Sequence, residues 1–362
     1  MISLRFAVEA TGARHPFVVR LNDDYGLRST THDVYLAEFE GADAVFEGPG
    51  GLLRVQGLRS GEADGDVLLV IPDRNIAHRL IRAASDHNTL LVTERCDQLC
   101  VMCSQPPKTR HVDMFSLLET AALLAPRDAT IGISGGEPTL YKDQLFGLLT
   151  RVLEARPDVS FHVLTNAQHF VEQDVQTLRA LPAGSVTWGV PLYSADPGLH
   201  DRIVGKQGAQ AALLNNLAIL CRAGAAIELR TVIMRLNVAR LTELAVFLVT
   251  HVPFVTNWAI MQLENIGYAR KNWDELFEDT SISFGHVASA LDLARARGIS
   301  AVLYNFPLCT VPEPYRALAP STISDWKRRY LSECDDCSAR SRCGGFFEWY
   351  PDDRGFAGVR HL

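Results

Sequence analysis

From residue 88 to about residue 300, short apolar runs alternate with longer stretches whose apolar residues recur every three or four positions. The short runs are NTLLVTE (88–94), ATIGIS (129–134), SFHVLT (160–165), SVTWGVPLY (185–193), AIELRTVIM (226–234) and NWAIMQLE (257–264). Their near-continuous apolar character reads as strands buried on both faces. Between and after them lie MFSLLETAALLA (114–125), DQLFGLLTRVLEA (143–155), VEQDVQTLRAL (171–181), AQAALLNNLAILCRA (209–223), RLTELAVFLVTH (240–251) and FGHVASALDLARARG (284–298), which read as amphipathic helices. Six strand–helix units in succession predict an α/β fold with a parallel sheet and right-handed crossovers. A partial (βα)6 TIM-like barrel competes with an open doubly wound sheet; in both, ligands sit at the carboxyl ends of the strands.

The flanks have a different rhythm. Residues 1–87 hold LRFAVEA, PFVVRL, DVYLAEFEG, GLLRVQGL and DVLLVI, separated by Gly, Asp and Asn, which predicts a small, mainly antiparallel β-rich module. NIAHRLIRAA (75–84) reads as a short helix leading out of it. Such a module could grip a substrate or partner by strand addition. Residues 301–362 have poor periodicity and are rich in Cys, Gly, Pro and aromatics, a loop-rich extension that needs a staple. The expected division is therefore 1–87, 88–300 and 301–362.

Composition narrows the function classes. Hydrophobic residues make up 47% of the 362 and charged residues 21%, ordinary for a soluble globular protein. The net charge is −7 and the densest basic run is only WKRRY (326–330), which argues against a nucleic-acid partner. The first 17 residues lack the design of a signal peptide, and no apolar stretch reaches the ~18 residues of a membrane span. A cytoplasmic protein is expected, with no membrane partner. In a reducing compartment, eight cysteines point to metal or catalysis rather than to disulfides.

Three of the eight fall in ERCDQLCVMCSQPPK (94–108), where Cys96, Cys100 and Cys103 are spaced C-x3-C-x2-C just after the first predicted barrel strand. Zinc usually takes four ligands in short-spaced pairs; the next cysteine here, Cys221, is far away in a predicted helix and reads as a buried, inert thiol. Three thiolates on one loop could instead hold three corners of a four-iron cluster and leave the fourth iron open. At this point the chain resembles the radical S-adenosylmethionine (SAM) superfamily. The resemblance implies that the open iron chelates the amino and carboxylate groups of SAM. It implies reductive cleavage to a 5′-deoxyadenosyl radical that abstracts a hydrogen atom from the substrate. Met102 stands where the family often has an aromatic residue near the adenine, and a thioether can make the same apolar contact.

Further segments carry the resemblance in order. ISGGEPTL (133–140) looks like the family's GGE motif, which implies that Gly135, Gly136, Glu137 and Pro138 border the SAM amino group. Asn166, in LTNAQ after the third strand, matches a recurrent polar position, with a helix-capping role as the alternative. In VPLYSADPGLHDRIVGKQGA (190–209), Ser194 would touch the SAM ribose or carboxylate and Lys206 the carboxylate, while His200 and Asp201 read as structural. Arg230 on the fifth strand points into the barrel mouth or forms a salt bridge at the core edge. In MQLENIGYARKN (261–272), Gly267 permits close packing near SAM.

Near the C-terminus lie Cys309, Cys334, Cys337 and Cys343, the last three spaced C-x2-C-x5-C. Zinc is a fair reading from spacing alone. The resemblance favours an auxiliary [4Fe–4S] cluster of the SPASM or twitch type; the full SPASM pattern continues with a cysteine where this chain has Phe347. Together the segments resemble the HxsC-type maturases of His-Xaa-Ser repeat systems. That implies a peptide or small protein with His-Xaa-Ser repeats as substrate, a second radical SAM maturase as a companion, and a reductant such as flavodoxin or ferredoxin. It implies SAM and two [4Fe–4S] clusters as cofactors. No residue can be assigned as acid, base or radical carrier. The competing readings are a radical SAM enzyme of a small metabolite and, in another class, a zinc-stapled binding protein on a βα scaffold.

Overall fold

A computed structural model describes residues 2–24 and 30–362. Two compact units divide them, one of residues 1–92, 112–133 and 143–162, the other of residues 93–111, 134–142 and 163–362. No helix among the described residues is long and apolar enough to cross a membrane.

The N-terminal run forms seven strands: β1 (Arg5–Ala10), β2 (Phe17–Asn22), β3 (Asp33–Glu40), β4 (Asp43–Gly48), β5 (Gly51–Gln56), β6 (Val67–Ile71) and β7 (Ile76–Ile81). They close into a barrel in the order β1-β5-β4-β3-β2-β6-β7, antiparallel except for the parallel pair β2–β3. Alternate side chains such as Phe6, Val8, Leu21, Phe46, Val55 and Leu68 fill the interior. The short helix expected over 75–84 is instead β7. Ala77, Arg79 and Ile81 alternate inward along it, and pairing with both β6 and β1 closes the ring. Its inward Arg79 is matched by Asp66, both side chains 2% exposed. In this ring order every strand has a neighbour on each side, so strand addition would require one of these pairings to open.

Beyond the barrel run β8 (Asn88–Thr93), β9 (Thr130–Gly135), β10 (Ser160–Leu164), β11 (Val186–Pro191), β12 (Ala226–Val232), β13 (Asn257–Met261) and β14 (Ala301–Tyr304). They form one sheet in simple sequence order, and the pairs from β11 to β14 are parallel. The sequence reading expected six strands; β14 lies just past residue 300, and four residues are too few for a periodic signal. The helices are α1 (Phe115–Leu123), α2 (Lys142–Ala155), α3 (Asp174–Ala180), α4 (Pro197–Val204), α5 (Ala209–Ala223), α6 (Leu241–His251), α7 (Gly267–Lys271), α8 (Trp273–Leu276) and α9 (Gly285–Ala296). All six expected helices are present. The reading missed α4, although Pro197 opens it and the Asp196 side chain caps it by accepting the Leu199 N–H at 2.6 Å. It also missed the short α7 and α8. Cys221 lies on α5 as expected but is half-buried rather than fully enclosed.

The two faces of β12 differ in kind. Ile227, Leu229 and Thr231 are buried. The opposite face carries Glu228 and Arg230, beside Asn257 of β13 and near Tyr304 of β14. The extension contains a two-stranded pair, β15 (Arg328–Arg329) and β16 (Phe346–Phe347), with short 3-10 turns between them.

Candidate functional site

The loop bearing Cys96, Cys100 and Cys103 leaves the carboxyl end of β8 and is held by backbone hydrogen bonds from three segments. From the turn after β9, Gly136 N–H donates to the Thr93 carbonyl (2.8 Å) and Glu137 N–H to the Arg95 carbonyl (2.7 Å). At the end of α4, the Val204 and Ile203 carbonyls accept from Leu99 N–H (3.0 Å) and Val101 N–H (2.9 Å). From α7, Tyr268 N–H donates to the Cys103 carbonyl (2.8 Å), and Asn272 Nδ2 just beyond it donates to the Val101 carbonyl (2.8 Å).

These approaches explain the glycines. A Cβ on Gly135 would lie 2.3 Å from the Thr93 carbonyl oxygen, and one on Gly136 would lie 2.1 Å from that of Arg95. The GG pair therefore seats the cysteine loop. Gly267 does the same from the far side: at φ +60°, its Cβ would meet the Cys103 carbonyl oxygen at 2.3 Å.

All eight cysteines are free, and the three loop thiols are half-buried. Burial is the main force pushing the Cys96 thiol up to about 11 and the Cys100 thiol up to about 12; the neighbouring thiols add to both. Burial also raises Cys103. Three thiolates so near one another need a cation, and loading one must release their protons. Among the described residues, no three His, Cys, Asp or Glu side chains form a group set to hold a single metal ion. The donor set itself, three mutually interacting thiols on one fixed loop, fits a sulfur-ligated cluster.

Several of the residues expected at SAM have hydrogen-bond or ionic partners within the chain. Glu137 is fully buried, and its carboxylate is used internally. Oε1 accepts from Thr139 N–H (2.9 Å), Thr139 Oγ1 (2.5 Å) and Thr165 Oγ1 (2.6 Å), and Oε2 accepts from Asn166 N–H (2.5 Å). Burial pushes the carboxyl up against the pull of these donors. Three of these donors converge on Oε1 and one on Oε2, so the acid that the resemblance places at the SAM amino group also ties the turn after β9 to the end of β10. Pro138 opens a 3-10 turn and is buried. Met102, 7% exposed, belongs to a buried apolar cluster with Tyr193, Leu199, Ile203, Met234 and Trp273.

Asn166 and Lys206 meet on a residue the sequence reading missed. Asn166 Nδ2 donates to Asp97 Oδ1 (2.8 Å), the Lys206 ammonium donates to Asp97 Oδ2, and His169 Nε2 lies 3.3 Å from that oxygen. Burial opposes the charge of Asp97, but its bonds with His169, Lys206 and Asn166 hold its carboxyl well below the usual carboxylate range. Asp97 lies inside the C-x3-C motif, yet its partners are 69 and 109 residues away, so spacing carried no sign of them.

Ser194, 1% exposed, accepts the Asp196 N–H on its hydroxyl (3.0 Å) and the Gln210 Nε2–H on its carbonyl (2.8 Å), so it shapes a turn. His200 is structural, as expected: its Nδ1 accepts the Tyr193 N–H (3.3 Å). Arg230 forms the core-edge ion pair with Glu228 (2.5 Å) and lies over the Tyr304 ring (5.7 Å), whose hydroxyl donates to Glu228 (3.1 Å).

Cys309, Cys334, Cys337 and Cys343 line one cavity with Tyr330, Arg340 and Phe346. Burial raises the Cys309 and Cys334 thiols first; neighbouring cysteines raise them further. Cys343 Sγ accepts N–H groups from Leu308 (3.3 Å) and Gly345 (3.4 Å). Phe347 is buried in β16, stacked 5.9 Å from Trp349.

Residues 90–248 match the sequence pattern of the Radical SAM superfamily. A curated relative, the PqqA peptide cyclase of Granulibacter bethesdensis, is 24% identical over 249 residues, covering 67% of this chain and 63% of that one. The match thus spans less than two thirds of the relative. Among solved structures, Streptococcus suis SuiB bound to S-adenosylmethionine shares 17% identity at a TM-score of 0.48, covering 59% of this chain and 49% of that one. SuiB bound to precursor peptide SuiA shares 16% at 0.47, covering 59% and 48%. A radical SAM methyltransferase from Sphaerobacter thermophilus shares 16% at 0.44 and covers 72% of each chain. The similarity to the Radical SAM superfamily thus falls on residues 90–248, somewhat less than half of the chain, and takes in the cysteine loop.

Proposed function

We propose that this chain is a radical SAM maturase that modifies a ribosomally made peptide or protein, of the His-Xaa-Ser repeat type. The observation that carries the reading is the cysteine loop: three half-buried thiols on a backbone held from three segments, inside a matched radical SAM domain. Cys96, Cys100 and Cys103 would hold a [4Fe–4S] cluster with one iron open for SAM; Cys309, Cys334, Cys337 and Cys343 would hold an auxiliary one. When bound, the first cluster and SAM supply one-electron reduction and a hydrogen-abstracting radical. The chain's own part is positional. Gly135, Gly136 and Gly267 let three loops approach to backbone distance, and Glu137 locks the ends of β9 and β10 together through Thr139, Thr165 and Asn166.

The peptide substrate has support in the curated relative, a peptide cyclase, which this chain matches over 67% of its own length. The division into 1–87, 88–300 and 301–362, a companion maturase, a flavodoxin- or ferredoxin-like reductant and a cytoplasmic location belong to the same proposal.

Anaerobically purified protein should carry about seven to eight irons, two four-iron clusters' worth. With reductant it should convert SAM to 5′-deoxyadenosine and methionine, and Cys100→Ala should abolish this. A colourless, zinc-loaded protein that leaves SAM intact refutes the enzyme reading. Co-expression with a His-Xaa-Ser repeat peptide should give a mass change absent with Cys100→Ala. An unchanged peptide beside active SAM cleavage refutes the substrate assignment.

A further inference from the structure

We propose that Asp97 is a positioning residue for the first cluster, fixing the stretch that carries Cys96 and setting the electrostatic balance beside the cluster together with Lys206. The inference rests on the proposed function and goes beyond it. Among the described residues, backbone hydrogen bonds from other segments reach the loop at Arg95, Leu99, Val101 and Cys103, and none reaches residues 96–98. That stretch is held through a side chain, the Asp97 carboxylate, which accepts from Asn166 Nδ2 and Lys206 Nζ with His169 beside it.

The partners are themselves pinned. Asn166 donates its N–H to Glu137 (2.5 Å) and accepts the Gln168 N–H on Oδ1 (3.0 Å). Lys206 donates its N–H to the Asp201 carbonyl (3.1 Å). Asp97 thus connects the first cysteine to fixed points after β10 and α4.

Net charge and hydrogen bonding around an iron–sulfur cluster set its reduction potential. A carboxylate one residue from a ligand lowers the potential; an ammonium paired with that carboxylate raises it. Removing each should therefore shift the potential in opposite directions, a signature that a purely structural role does not produce.

The test uses reconstituted full-length protein, with redox titration of the electron paramagnetic resonance signal that responds to added SAM. Asp97→Asn should keep its iron and shift this potential to a more positive value. Lys206→Met should shift it to a more negative value. Unshifted potentials, or shifts of the same sign, overturn the proposal. Should Asp97→Asn fail to retain iron, Lys206→Met alone decides: a negative shift supports the role and no shift overturns it. A wild-type protein with no SAM-responsive signal refutes the proposed function instead, so the two failures are distinguishable.

Discussion

Replacing Gly267 by alanine isolates the energetics of seating the cysteine loop. Gly267 has φ +60°, and a left-handed backbone costs a non-glycine residue about 1–2 kcal/mol. The new Cβ would also lie 2.3 Å from the Cys103 carbonyl oxygen and 2.6 Å from that of Ser104, both backbone atoms that cannot swing aside. Forcing atoms into such a contact costs about 1–3 kcal/mol more, for a sum of roughly 2–5 kcal/mol. Gly224 supplies the control. Its φ is +73°, yet a Cβ there meets nothing within 4 Å, so Gly224→Ala should bear only the backbone cost. Denaturant titration of both variants should place Gly267→Ala about 1–3 kcal/mol below Gly224→Ala. Reconstituted iron should fall by about half in Gly267→Ala alone, because the displaced carbonyl belongs to Cys103, a ligand of the first cluster under the proposed function. Equal stability and equal iron in the two variants would refute the claim that Gly267 acts through the cysteine loop.

Other expectations follow from single sites. Burial lowers His200 from 6.5 to about 4, with Asp201 opposing, and its neutral Nδ1 accepts the Tyr193 N–H. A lowered folded-state value gives stability that is full above pH 6.5 and lost as the pH falls toward 4, about 3 kcal/mol in all; denaturant titrations from pH 7 to 4 should show this loss in wild type and not in His200→Phe. Glu137→Ala strands buried donors at Thr139, Thr165 and Asn166 and should cost about 2–5 kcal/mol, read by denaturation, with Glu137→Gln milder. Under the proposed function, Cys337→Ala should lose the proposed auxiliary cluster, about half the iron, while reductive SAM cleavage persists and peptide modification fails; retained modification would make that site purely structural.

Much of this protein was readable from periodicity and spacing. The strands β8 to β13 and the helices α1, α2, α3, α5, α6 and α9 follow from apolar patterns that tertiary packing did not override. The cysteine spacings identified both thiol groups, because ligand spacing within a loop is a local property. Other features were decided only by the tertiary structure. NIAHRLIRAA carries an ambiguous pattern, and it became β7 because the barrel needed a strand between β6 and β1. Glu137 reads as a ligand residue, but the fold buries it among donors 2, 28 and 29 residues away. Asn166 and Lys206 read as SAM contacts, and the fold also brings both onto Asp97, which spacing did not reveal. A short motif specifies which groups a loop offers. Which of them remain free for a ligand depends on partners brought from distant strands, a long-range outcome that one-dimensional spacing does not encode.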